Sequence, residues 1–200
     1  MTARTPAAPQ LTNDEFDELI DQINAHHQAT LAALTAGRPK PSPFVMPEGF
    51  DSVSNDYSDL PQDAIDAFAQ SRERNTSQAD GQKPHIADVS QQYENNKISK
   101  SSFDEQIDKQ KKDNIDKFTD DQNKVADELK KSGSAHPEKQ NEILQAFKDA
   151  GDWLIDKLWG AVCAFFKQLA EDIKRWWDSV VDWFKDKVDA VKNWWHSIFG

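Results

Sequence analysis

Residues 152–200 read DWLIDKLWGAVCAFFKQLAEDIKRWWDSVVDWFKDKVDAVKNWWHSIFG, and this stretch decides the fold. From Ile155, steps of eleven land on Phe166, Trp177, Val188 and Phe199; from Leu158 they land on Leu169, Val180 and Val191; from Val162, on Ile173, Phe184 and Trp195. Every one of these positions is apolar. Eleven residues in three turns is about 3.67 per turn, close to a straight α-helix, so the spacing predicts one face maintained over roughly 65–70 Å.

The stripe is wide. Adjoining rows add Trp159, Ala170 and Val181 on one side and Phe165, Trp176 and Ile198 on the other, with Trp183 and Trp194 at the border. Such an arc is broader than a coiled-coil seam needs. Lys174, Lys185, Lys187 and Lys192 fall in or beside its edges, whereas Glu171, Asp178, Asp182, Asp186 and Asp189 lie nearer the opposite side. Long lysine stems can follow apolar material and return their ammonium groups to headgroups, and tryptophan favours the boundary layer. Residues 182–199, DWFKDKVDAVKNWWHSIF, resemble the class A amphipathic helices of exchangeable apolipoproteins, where basic residues flank the apolar face and 11-residue units repeat. The resemblance is one of helix type and covers about 45 residues. It implies a helix lying flat on lipid; the high tryptophan content and the acidic body depart from the pattern, so lipid transport does not carry over.

Outward from this stretch the composition changes abruptly. All seven tryptophans of the 200 residues lie within it, and it holds seven basic and eight acidic residues, leaving seventeen and twenty-seven for the rest of a chain of net charge −11. That sign disfavours binding to phosphate backbones, so no nucleic-acid partner is expected. Only 37% of the chain is apolar, against roughly 45–50% in ordinary globular proteins, so the core must be thin.

Four regions follow. Residues 1–37 hold an N-terminal capped helix: Thr12 and Glu15 form a capping box, Leu11 and Phe16 a hydrophobic staple, and Gly37 a stop, predicting a helix over about 13–36. Residues 38–100 read as a Pro/Ser/Asn/Gln-rich linker. PKPSPFVMP favours extended backbone, NTSQADGQKP reads as a polar loop, and one short helix runs from Pro61 to Arg74 around Ile65 and Phe68. Residues 101–151 form a charged helical region. One helix starts at Ser102 with Glu105 and ends near Gly133, carrying Phe103, Ile107, Ile115, Phe118, Val125 and Leu129; a shorter one runs from Pro137 to a stop near Gly151. Residues 152–200 are the Trp-rich amphipathic helix, capped by Asp152. The fold class is all-α: elongated amphipathic helices or a small helical bundle with a long, partly disordered linker.

Chemistry-bearing motifs are sparse. No phosphate-binding loop, HExxH, CxxC or GxSxG pattern occurs, so no enzyme activity, cofactor or metal is expected. Neighbours such as His26 and His27 do not share a helical face, and Asp113, Asp116, Asp120 and Asp121 read as acids of a solvated helix. Asn75-Thr76-Ser77 matches a glycosylation sequon, which matters only in a secretory compartment. Cys163, the single cysteine, reads as a small packing residue. The longest uncharged apolar run, Leu158 to Phe166, is far shorter than the roughly 20 residues of a transmembrane helix, and no apolar signal segment follows Arg4. The expected location is cytoplasmic or peripheral to a membrane, with non-classical export as the remaining route.

These features predict a non-enzymatic protein that binds or perturbs a lipid membrane surface through its C-terminal helix, with a helical toxin or pore-former as the stronger version. In that reading the tail is sheltered in solution and detaches at the membrane. The alternative is a helical assembly or adaptor protein whose C-terminal helix packs against its own body, a helical partner or a second copy in a homo-oligomer.

Overall fold

The computed structural model describes residues 10–50, 57–171 and 180–199, with the side chains at 83, 165, 167–171, 180–185, 198 and 199 outside the description. All regular structure among the described residues is helical: α1 (Asn13–Thr35), α2 (Gln62–Glu94), α3 (Lys100–Ala135), a 3₁₀ turn (Pro137–Lys139), α4 (Gln140–Trp153), a π-helical segment (Leu154–Trp159), α5 (Gly160–Glu171) and α6 (Val180–Phe199).

The first helix forms where its cap places it. The Thr12 hydroxyl accepts the Glu15 N–H at 3.3 Å while Glu15 accepts the Thr12 N–H at 2.8 Å, so two of the helix's four orphan donors are satisfied. Helix α2 is more than twice as long as expected. It continues through Asn75–Pro84, the stretch read as a polar loop, and ends at Glu94. The reason is tertiary. Ser71, Asn75, Ala79, Gln82, Ile86 and Val89 are buried at helical spacing, so packing overrides Gly81 and Pro84, whose penalties within a helix are about 1 and 3 kcal/mol. Residues 38–47 are non-helical and largely exposed, as the linker reading expects, whereas Phe50, Tyr57 and Leu60 are buried, and Tyr57 donates to Asp149 at 2.5 Å.

Helices α2 and α3 form an antiparallel hairpin closed by residues 95–99, with Asn96 at φ 55. As the number climbs along α2 from Ser71 to Tyr93, the partner on α3 falls from Asp121 to Phe103. The start of α3 is set by Ser99, whose hydroxyl accepts the Ser102 N–H at 3.1 Å, rather than by Ser102. Helix α1 runs against α3 and alongside the α4–π–α5 column, which it meets successively at Asn13–Gln140, His27–Asp152 and Thr35–Cys163.

Two glycines that read as stops lie inside helices. A Cβ on Gly133 would stand 2.2 Å from the Phe16 ring, and one on Gly151 would stand 2.0 Å from the His27 ring. Both are places where a buried ring of α1 needs the backbone bare. Helix α4 therefore continues through Gly151 without a break, and Asp152 caps nothing. The column then passes into the π segment, where the Gly160 N–H bonds to the Ile155 carbonyl, five residues back.

The expected single straight helix over 152–200 is not what forms. Trp153 and Trp194 would stand about 60 Å apart on such a helix at 1.5 Å per residue; their rings are stacked with centroids 4.3 Å apart and planes 12° from parallel. Helix α6 returns to pack on α2 and on the π segment. A monotonous apolar period fixes which residues share a face, but it does not say whether that face is presented straight or folded back on the body.

Candidate functional site

The candidate site is the C-terminal column and the surface on which it sits. Ile155, Leu158, Trp159, Val162 and Phe166 are buried, as are Val188, Val191 and Trp195 on α6. They bring together the described members of the 11-residue rows. Asp186, Asp189 and Lys192 are exposed and Lys187 is half-buried, so the polar side of α6 faces outward as its pattern requires. Trp194 is half-buried, packed on Trp153. The side chains of Phe165, Leu169, Val180, Trp183, Phe184, Lys185, Ile198 and Phe199 lie outside the described residues, as do Ile173, Lys174, Trp176 and Trp177 altogether.

The seat has two apolar regions divided by a polar layer. On one side Phe118, Phe103, Ile86 and Leu31 meet Trp159, Val162 and Phe166; on the other Phe16, Phe68, Leu129 and Phe147 meet Trp195. Phe118 meets the Trp159 ring edge-on at 5.9 Å, a geometry favoured by aromatic quadrupoles. Arg72 lies 5.3 Å over the Trp195 ring, within cation–π range.

Between them, Asp121 accepts from Ser71 at 2.6 Å and Asn75 at 2.6 Å and is paired with Arg74. A second polar group lies within the first region, between Phe118 and Ile107: Asn114 accepts from Gln82 at 2.6 Å, and its main-chain carbonyl from Gln78 at 3.1 Å. Asp121, read as an acid on a solvated face, is 5% exposed. Asn75 of the sequon is fully buried and accepts the Trp159 indole N–H at 3.0 Å. Sequence reasoning missed this layer because its members are polar. The signal that could have found it is their spacing, Ser71, Asn75, Gln78 and Gln82, which is that of one helical face.

At the foot of the column His27 is buried beneath Gly151, with Nε2 3.4 Å from Asp152 Oδ1. Lys148 Nζ reaches Asp152 Oδ2 at 2.9 Å. Burial alone would raise the Asp152 pKa; the adjacent His27 ring and the Lys148 ammonium outweigh it and bring the group down to about 2. Asp152 thus favours the folded state above the usual carboxylate range, and this contribution is lost as pH falls toward 2. Cys163 is half-buried with Sγ 3.5 Å from Thr35 Oγ1, and burial pushes its thiol pKa up, the opposite of an activated nucleophile. Beside it lies a void of about 10 Å³ lined by Trp159, Phe166 and Ile115, about the size that admits one water.

Among the described residues no group of three potential ligands could hold a metal ion, and no helix is long and apolar enough to cross a membrane. Comparison with family models, curated proteins and solved structures gives no match.

Proposed function

We propose that the chain is a non-enzymatic, membrane-associating protein that keeps its C-terminal helices packed on a helical body in water and transfers them to a lipid surface. The observation that supports this reading is the burial, on the body, of those apolar rows whose lysine and tryptophan borders suit a lipid interface. A face this wide cannot stand exposed in water. The body shelters it, and acyl chains offer an equivalent apolar environment at the interface. A pore-former is the stronger form of the same idea.

The test uses the full chain with vesicles carrying brominated acyl chains, prepared from neutral and from anionic lipid. The expected result is quenching of tryptophan fluorescence with both compositions. Salt dependence should be weak, because the tail's acidic and basic residues nearly balance and apolar burial drives transfer. Absence of quenching with both sinks the proposal. Release of trapped dye then separates permeabilisation from adhesion.

The second reading, a helical adaptor, is favoured by the same packing taken as permanent. In that case Trp195→Asp disrupts a stable particle mass and leaves vesicle partition unchanged at zero.

A further inference from the structure

An open groove lies between the first three turns of α1 and the chain that follows that helix. Leu11, Leu19 and Pro47 form its apolar walls, Glu15, Glu18 and Gln22 its polar rim, and it encloses about 350 Å³. That volume falls within the roughly 300–1,000 Å³ typical of ligand sites. None of its lining residues belongs to the C-terminal column.

The charge around the groove is one-sided. Helix α1 carries Asp14, Glu15, Asp17, Glu18 and Asp21 and no lysine or arginine. A helix N-terminus favours acids in its first turn, which accounts for Asp14 and Glu15, but Glu18 and Asp21 stand beyond that turn. Asp21 is paired with Lys130 of α3 at 2.6 Å. Among the described residues Glu15 and Glu18 meet no cation. The Thr12 N–H and hydroxyl hold the Glu15 carboxyl below the usual range, Glu18 accepts the Gln22 amide at 3.0 Å, and both acids are exposed.

The apolar surface continues past the groove. Pro43, Val45 and Pro47 are exposed, while Phe44 and Met46 between them are half-buried against the second apolar region. Val45 is 84% exposed. At about 3.3 Å per residue this outward row adds roughly 13 Å of apolar edge, more than a compact ligand covers. Its prolines fix the backbone, so a partner that docks there orders little chain.

We propose that this groove is the docking site for a basic, amphipathic segment of a partner protein. Such a segment seats an aliphatic or aromatic side chain between Leu11, Leu19 and Pro47 and sets lysine or arginine against Glu15 and Glu18. Anionic headgroups would be repelled by the same carboxylates, so this surface is not a second lipid face, and the inference stands whether or not the tail reaches a membrane.

The probe is a dye-labelled synthetic helix of about 18 leucine and lysine residues, with apolar and basic faces, added to the full chain and followed by fluorescence anisotropy. A twin with glutamate in place of lysine is the control. The expected result is saturable binding of the lysine helix, weakening as salt rises from about 0.05 to 0.5 M, and no binding of the twin. Glu18→Lys should weaken binding about tenfold and Glu18→Gln about threefold, whereas Glu105→Lys, the same charge change at an exposed site on α3, should change it by no more than about twofold. Pro47→Asp adds negative charge but removes an apolar wall, and should also weaken binding about tenfold. Far-UV circular dichroism checks that each variant keeps its helix content.

Failure of the lysine helix to bind overturns the proposal. So does an equal loss in Glu18→Lys and Glu105→Lys, or tighter binding by Pro47→Asp, since either result shows diffuse attraction to an acidic protein. Binding that emerges only after removal of residues 1–9 assigns the groove to the chain's own N-terminal segment and overturns the partner.

Discussion

Gly151 is bare because His27 occupies the space a side chain would need. The sequence suggested a helix stop there, which is what glycine before a polar residue commonly means, but the deciding contact lies 124 positions away and no local pattern reports it. Gly151→Ala is expected to destabilise the fold by about 1–3 kcal/mol through overpacking, although alanine is the better helix former by about 1 kcal/mol. In a His27→Ala background the same substitution should become neutral or favourable. Urea denaturation of the four chains checks this, and additive effects would show that the ring and the glycine are not coupled. His27, Phe16 and the capping residues Thr12 and Glu15 illustrate a division. Caps act over three residues and were readable, while the bare positions facing buried rings were not.

At the scale of elements, the segment between α1 and α2 is anchored where it resembled a linker. Tyr57 is buried, and burial followed by the hydrogen bond to Asp149 pushes its phenol pKa above the ordinary range. The unfolded chain then loses its phenolic proton first as pH rises, so this anchor should make stability decline above about pH 10, by up to about 1.4 kcal/mol per pH unit. Tyr57→Phe should flatten that limb in a pH series of denaturation midpoints; an unchanged slope would show that the phenol does not titrate with folding.

Helix α2 was half legible for a related reason. Its apolar contacts near Phe68 announced a helix, but from Ser71 to Gln82 the inward face is largely serine, asparagine and glutamine, and hydrophobic periodicity has nothing to count there. The buried amides keep the period of a helix without its polarity.

For the whole molecule, the all-α class and the C-terminal face were readable from the eleven-residue period. Its folding back was not, because both geometries bury the same residues. The consequence for stability is direct. Trp159, Phe166 and Val191 belong to one apolar region and Trp195 to the other, so a chain ending at residue 151 should lose cooperative thermal unfolding and bind hydrophobic dyes, as expected for a body stripped of packing. A sharp transition in that truncated chain would show the body to be self-sufficient. Loss of lipid binding by such a truncation therefore cannot be credited to the tail alone, and brominated lipid acting on the full chain is the cleaner probe.

The seating of Trp195 on Phe68 and Arg72 also bears on synthesis. Helix α2 leaves the ribosome more than a hundred residues before the tryptophan that covers it. At about 5–20 residues per second, even the stretch from residue 152 to Trp195 takes roughly 2–9 s to make. Through that interval Phe68 and Arg72 lack the ring that packs on them, so completion of this part of the core awaits translation of α6.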